Sequence, residues 1–258
     1  MVENKKLPTF SLRISIDNPP STEGNKSGLN ALSNALFGEG SKNISKDIFN
    51  EEVDYLGASI SMGMGFAFAN GLSKHKERIF ELLADAALRP NFTEEELDKE
   101  KEKLITGLKS EENSPAAIAQ RVIGILTYST DHPYGEFVTE ETIKNVTVKD
   151  LDNNYNRMFR PNNAYMVISG DVVFDEIKEL VTKHFKKWKS SKKELESNIS
   201  SPSDVMSSEI NFVDMPDAVQ SELSVLNITD LQTNSEDHHA ALVTNYTVSY
   251  THLRAHET

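Results

Sequence analysis

The 258-residue chain contains no cysteine. That excludes a disulfide framework, a cysteine zinc finger, an iron–sulfur centre and a thiol nucleophile. It leaves the compartment open, because a cysteine-free protein is at home in either redox environment. Positive charge is also scarce: 27 Lys+Arg stand against 40 Asp+Glu, a formal charge of −13. Phosphate contacts need clustered Lys and Arg, so this balance argues against a nucleic-acid partner. Long apolar runs are missing too. No stretch has the length of a membrane span, and Met1–Pro8 lacks the apolar core of a signal peptide. What is present is 38% hydrophobic residues over a length sufficient for a real core, in one large domain or two small ones.

The periodicities give an alternating order of strands and helices. Phe10, Leu12, Ile14 and Ile16 alternate with Ser11, Arg13 and Ser15, the period of a half-buried strand. Gly28–Phe37 reads as a short helix. A second follows Ser45, a candidate N-cap, and ends at Gly57. Ala58–Ser73 reads as two strands joined near Gly63 and Gly65, and a helix over Lys74–Leu88 stops before Pro90. Thr93 with Glu96, and Thr147 with Asp150, have the spacing of capping boxes, and Phe92 is placed to staple onto Leu97. Pro115–Leu126 is a further helix, Asn163–Ser169 a buried strand, and Phe174–Trp188 an amphipathic helix.

Beyond Trp188 the composition turns to Ser, Lys and Glu. Four segments follow: residues 1–188 as a first domain, 189–208 as a linker, 209–247 as the start of a second domain, and 248–258 as a tail. The second domain is expected to open with strands at Glu209–Val213 and Gln220–Ile228 and a helix from about Glu236, an order that echoes the start of the chain. The tail SYTHLRAHET resembles a translated sequencing-adaptor sequence. It is excluded from fold reasoning as non-native, with His252 and His256. Strands and helices mixed with hairpin-like pairs predict an α+β fold, with a mostly antiparallel sheet and helices on one face.

Several segments in order carry a family resemblance: GLNALSNALFGEGS from Gly28, EEVDYLGASIS, LLADAALRPNFTEEELDKEKEKL, HPYGEF and RPNNAYMVISGDV. Together they resemble the N-terminal domain of the insulinase, pitrilysin and mitochondrial-processing-peptidase family, and the sequence looks most like bacterial members. The matches span Lys5 to Tyr246, and the resemblance implies a LuxS/processing-peptidase-like metallohydrolase half-domain followed by the start of a second similar domain. It also implies a fragment, since family members have a further strand before VENKKLP.

The family's functional motif is an inverted H-x-x-E-H on the first helix, with a distal Glu on the long charged helix. Two His at i and i+4 reach Zn²⁺ from one helix face, and the Glu between them is the general base. Mapped onto this chain, the His positions are Ala31 and Ala35, the base position is Asn34, and the distal Glu position is Gly107. Ala and Gly offer no donor, and a neutral amide cannot take a proton from water at neutral pH. The resemblance therefore implies a pseudo-peptidase with no catalytic residue, no metal and no cofactor, although active relatives carry zinc. Extended peptides bind family members along a sheet edge, which maps to Ala58, Ser59, Ile60, Ser61 and Met62.

The expected role is a non-catalytic partner of an active zinc-bearing subunit or domain, helping to shape a peptide chamber. Peptides are candidate ligands, and a periplasmic or envelope location follows from the resemblance alone. Two alternatives stay open: an active zinc metalloendopeptidase with displaced ligands such as His132 or His184, and a stand-alone peptide-binding or assembly protein.

Overall fold

The computed structural model describes residues 1–191, 195, 199, 202, 207–229 and 231–248. The chain divides into two compact units. One comprises residues 1–200 with 215–222, and the other 201–214 with 223–258.

The first unit is built on a five-stranded sheet of β1 (Val2–Glu3), β2 (Thr9–Ile16), β3 (Ser59–Gly63), β4 (Phe66–Leu72) and β5 (Ala164–Gly170), in the order β1-β5-β2-β4-β3. All pairings are antiparallel except β1 with β5. The helices are α1 (Leu29–Leu36), α2 (Lys46–Tyr55), α3 (Lys76–Leu88), α4 (Glu94–Glu111), α5 (Pro115–Tyr128), α6 (Glu140–Lys144), α7 (Val148–Met158) and α8 (Phe174–Phe185). The fold is α+β with a mostly antiparallel sheet.

The period-2 pattern of β2 decides where the core lies. Phe10, Leu12, Ile14 and Ile16 are buried under the helices, together with Ala67 and Ala69 of β4 and Ile168 of β5. α3 supplies Ile79, Phe80, Leu82, Leu83, Ala86 and Ala87 to the same core. The alternate residues of each strand point to the other side of the sheet. That side is open. Asn163–Ser169 therefore departs from the expected buried strand: Ile168 is buried, but Tyr165 is 67% and Val167 55% exposed. A continuous apolar run reads as buried on both faces, whereas among the described residues only one face has a helix layer.

The helix termini follow the sequence closely. Thr147 and Asp150 cap α7 reciprocally, and Thr139 and Thr142 do the same for α6, a helix too short to show as a periodicity. Thr93 accepts from the Glu96 N–H as expected. The return bond is replaced, because the Glu96 carboxylate pairs with Lys99. Phe174 was expected on the apolar stripe of α8 but is 57% exposed at its first position. Trp188 lies beyond α8, where its indole N–H donates to the Phe159 carbonyl at 3.1 Å.

The second unit contains α9 (His238–Thr247), close to the expected helix start. The strands expected at 209–213 and 220–228 are not formed. Ile210 and Phe212 are 98% and 84% exposed, and Leu223 and Val225 are 87% and 83% exposed. Alternation alone does not make a strand, since the backbone N–H and C=O groups need a paired neighbour and these segments have none among the described residues. Much of the expected linker at 189–208, and all of the tail after Val248, lie outside the described residues.

Candidate functional site

The position of α1 is set by a relay of carboxylates. Gly28, at its N-cap, has φ +106° and no side chain to cap with. Its Cβ would meet Val138 at 3.1 Å and Ile143 at 3.4 Å, so glycine fits where another residue would be both strained and crowded. The missing cap comes from Glu23, whose carboxylate accepts from the Gly28 N–H at 2.9 Å and the Asn30 N–H at 3.1 Å. The backbone N–H groups of Glu23 and Gly24 donate in turn to the Glu136 carboxylate. Acidic groups at a helix N-terminus also oppose the helix dipole favourably.

One face of α1 is packed and fully used. Leu32, Ser33 and Leu36 are buried. Buried Asn154 of α7 donates to Asn30 Oδ1 at 2.9 Å and Ser33 Oγ at 3.0 Å, and it accepts from Arg157 at 3.2 Å. Lys26 joins the same contact by pairing with Asp150 at 2.5 Å. Burial alone would raise the Asp150 carboxyl, but hydrogen bonds from Lys26 and Thr147 hold it below its ordinary value.

The other face carries Ala31, Asn34 and Ala35, all exposed and brought together by their i, i+3, i+4 spacing. Asn34 is nevertheless engaged. Its Oδ1 accepts the Met64 backbone N–H at 2.8 Å, tying the helix to the β3–β4 turn. The fit is close enough that a Cβ on Gly63 would lie 2.8 Å from that oxygen and 2.7 Å from the Phe66 ring. Gly107 lies on α4, which packs against α1, and is exposed with open space where a side chain would project. These residues do not fit a zinc ion. Two methyl groups, one amide whose oxygen is already used and one hydrogen atom offer no ligand set.

Beside this face runs β3, which packs against α1 and pairs only with β4, leaving its outer edge free among the described residues. The expected peptide-binding segment coincides with this strand from Ser59 to Met62, and Ala58 immediately precedes it. A two-residue turn joins Gly63 to Phe66, so hydrogen-bonded pairs fall at Gly63, Ser61 and Ser59. The N–H groups of Ile60 and Met62 therefore face the free edge. Ser59 and Ser61 are exposed, while Ile60 is half-buried and Met62 buried.

The histidines lie elsewhere. His132 is buried in the loop after α5, stacked on Tyr128 at 4.8 Å, and its Nδ1 accepts the Tyr134 N–H at 3.1 Å. His184, on the last turn of α8, has a buried Nε2 without a partner among the described residues. Burial, reinforced by neighbouring Lys183, lowers its pKa. His238 and His239 start α9, with rings 5.4 Å apart. Among the described residues no three His, Asp or Glu side chains are grouped to hold a metal, and no helix is long and apolar enough to cross a membrane. The amide role of Asn34 escaped sequence reasoning, because nothing in the pattern shows that Met64 comes within its reach.

Residues 145–253 match the family model described as the peptidase M16 inactive domain. Among solved structures, the peptidase M16 inactive domain from Pseudomonas fluorescens superposes with a TM-score of 0.67 at 22% identity, over 79% of this chain and 50% of that one. A protease from Helicobacter pylori gives a TM-score of 0.65 at 22% identity, over 75% of this chain and 49% of that one. The chain thus spans about half the length of each of these structures. No curated protein matches it.

Proposed function

We propose that the chain is a catalytically inactive relative of the M16 (insulinase-type) peptidases and serves as a peptide-holding partner to an active zinc-bearing subunit or domain, a reading supported by the match of residues 145–253 to the inactive-domain model. Ala31, Asn34, Ala35 and Gly107 stand where active relatives carry the zinc ligands and the base. The chain then contributes no hydrolysis of its own. Its contribution is the β3 edge, where an extended peptide adds as a further strand and bonds to backbone groups of Ile60 and Met62. Backbone bonding of this kind supplies affinity with little sequence selectivity.

The observation that carries this reading is the hydrogen bond from the Met64 N–H to Asn34. The side chain at the base position is committed to holding the hairpin whose first strand is the free edge. Chemistry has left the α1 face while the peptide-presenting element beside it is kept in place.

The test uses fluorescein-labelled insulin B chain as an extended peptide probe. The purified chain should bind it without cleaving it and should contain no stoichiometric zinc. Ile60→Pro removes one edge donor without touching the β4 ladder, and should weaken binding about tenfold while leaving the fold intact. Cleavage of the probe by the chain alone, with one zinc per chain, would overturn the reading. So would unchanged binding by the Ile60→Pro variant.

A further inference from the structure

The segment that leaves α8 is pinned to the body of the first unit. The Trp188 ring stacks on Phe159 at 5.1 Å, and its indole N–H donates to the Phe159 carbonyl at 3.1 Å. The Trp188 backbone N–H donates to the Phe185 carbonyl at 2.9 Å. Further on, Ser191 and Asn162 bond reciprocally. The Ser191 N–H donates to Asn162 Oδ1 at 2.9 Å, and Asn162 Nδ2 donates to the Ser191 carbonyl at 2.6 Å. Phe159 and Asn162 lie between α7 and β5, so the backbone from Phe185 to Ser191 is held at its start, middle and end.

What this held segment displays is positive charge. Lys186, Lys187 and Lys189 are exposed and, with Trp188 and Ser190, line a shallow hollow of about 530 Å³. None of the three lysines has a carboxylate partner among the described residues, whereas Lys183, one turn earlier, pairs with Glu77 at 2.7 Å. The C-terminal end of α8 favours cations through its dipole, which accounts for lysines here but leaves their charge unpaired. The cluster stands in a chain whose net charge is −13.

Three fixed, unneutralised ammonium groups select an anionic occupant, and the size of the cluster selects among anions. Residues 186–190 reach at most about 17 Å, at roughly 3.5 Å per residue. Their field is screened within about 8 Å at physiological salt. A nucleic acid or a lipid surface would extend well past that range and meet the repulsion of an acidic chain. A short run of carboxylates fits inside it.

We infer that the patch of Lys186, Lys187 and Lys189 is a docking surface for a short acidic segment, a run of Asp and Glu side chains, on the partner protein. The inference rests on the partner role proposed above and gives that role a contact point away from β3. The patch is anchored beside the start of β5, and β2 and β4 stand between β5 and β3 in the sheet.

The test uses two fluorescein-labelled peptides of 12 residues, followed by fluorescence anisotropy. One has four consecutive glutamates flanked by glycine and serine, and its twin has glutamines in their place. Exposed ion pairs are individually weak, so three together should make the wild-type chain bind the glutamate peptide about tenfold more tightly than the twin. That preference should shrink as NaCl rises from about 50 to about 300 mM. Lys186→Gln, Lys187→Gln and Lys189→Gln together should abolish it. The same change at Lys5, Lys6 and Lys74, three exposed lysines elsewhere on the unit, should leave it in place. Insulin B chain binding should survive the first triple variant and weaken in Ile60→Pro, while acidic-peptide binding behaves in the opposite way, so the patch and the edge fail separately. No preference for the glutamate peptide, or an equal loss in the Lys5, Lys6 and Lys74 variant, overturns the inference. Tighter binding of an oligothymidylate of the same length, or of phosphatidylglycerol vesicles, also overturns it, because the anion would then be a phosphate.

Discussion

The two faces of α1 differ in what their side chains are for. Toward α7, Leu32 and Leu36 are buried and Asn30, Ser33 and Asn154 satisfy one another. Toward solvent, Ala31 and Ala35 are exposed, and Asn34 accepts the backbone N–H of Met64 in the hairpin. A helix whose outer face had simply lost its purpose would be free to drift. This one is fixed on both sides, by buried side chains toward α7 and by the Asn34–Met64 bond toward the hairpin.

The largest test of that contrast rewrites the outer face. A chain carrying Ala31→His, Asn34→Glu, Ala35→His and Gly107→Glu should go from no stoichiometric zinc to one zinc per chain, measured by elemental analysis after dialysis. Failure to take up zinc in a folded variant would show that Gly107 is not where the distal ligand belongs. Next in size is a pair of truncation and surface changes. Leu32→Ala on the packed face should cost about 2–5 kcal/mol in urea unfolding. Ala31→Ser on the outer face should stay within about 0.5 kcal/mol. Similar costs would erase the distinction between the faces.

Asn34→Ala tests the one bond of the outer face. It should lower stability by about 0.5–1.5 kcal/mol and speed hydrogen exchange at the Met64 amide, with little effect on α7. The smallest effect concerns the packed face and depends on pH. The Asp150 carboxyl is held below its unfolded value of 3.8, so its stabilisation is fully present above that value and is lost as pH falls through the folded one. Thermal melting should show wild type ahead of Asp150→Asn at pH 6, with the gap closing as pH falls below 3.8 and through the lowered folded value.

Much of the first unit was legible in the sequence because its signals are local. β2 declares its buried side through strict alternation, and Thr147 with Asp150 declares the start of α7. Legibility ended where a partner at long range decides the outcome. Two residues, Val2 and Glu3, have no period to detect, yet they pair in parallel with β5. NAYMVIS carries the composition of a doubly covered strand, yet Tyr165 and Val167 are exposed. The segments at 209–213 and 220–228 alternate like strands without finding neighbours. The same limit applied at the site. Asn34 could be singled out from the sequence, but its bond depends on a backbone N–H thirty residues away.

That bond bears on how such a chain could change over time. On the reading proposed above, glutamate at position 34 would have to be regained before hydrolysis could return. The Met64 N–H now waits at that position, and Gly63 allows the turn to press close against it. A carboxylate placed there alone would be drawn to the same N–H, which favours its ionised form and makes it a poorer base. Without histidines at 31 and 35 it would have no metal-bound water to act on. Each single reversion therefore meets a cost with no gain until the others are present. The clasp works as a ratchet, and the loss of catalysis is hard to undo one substitution at a time.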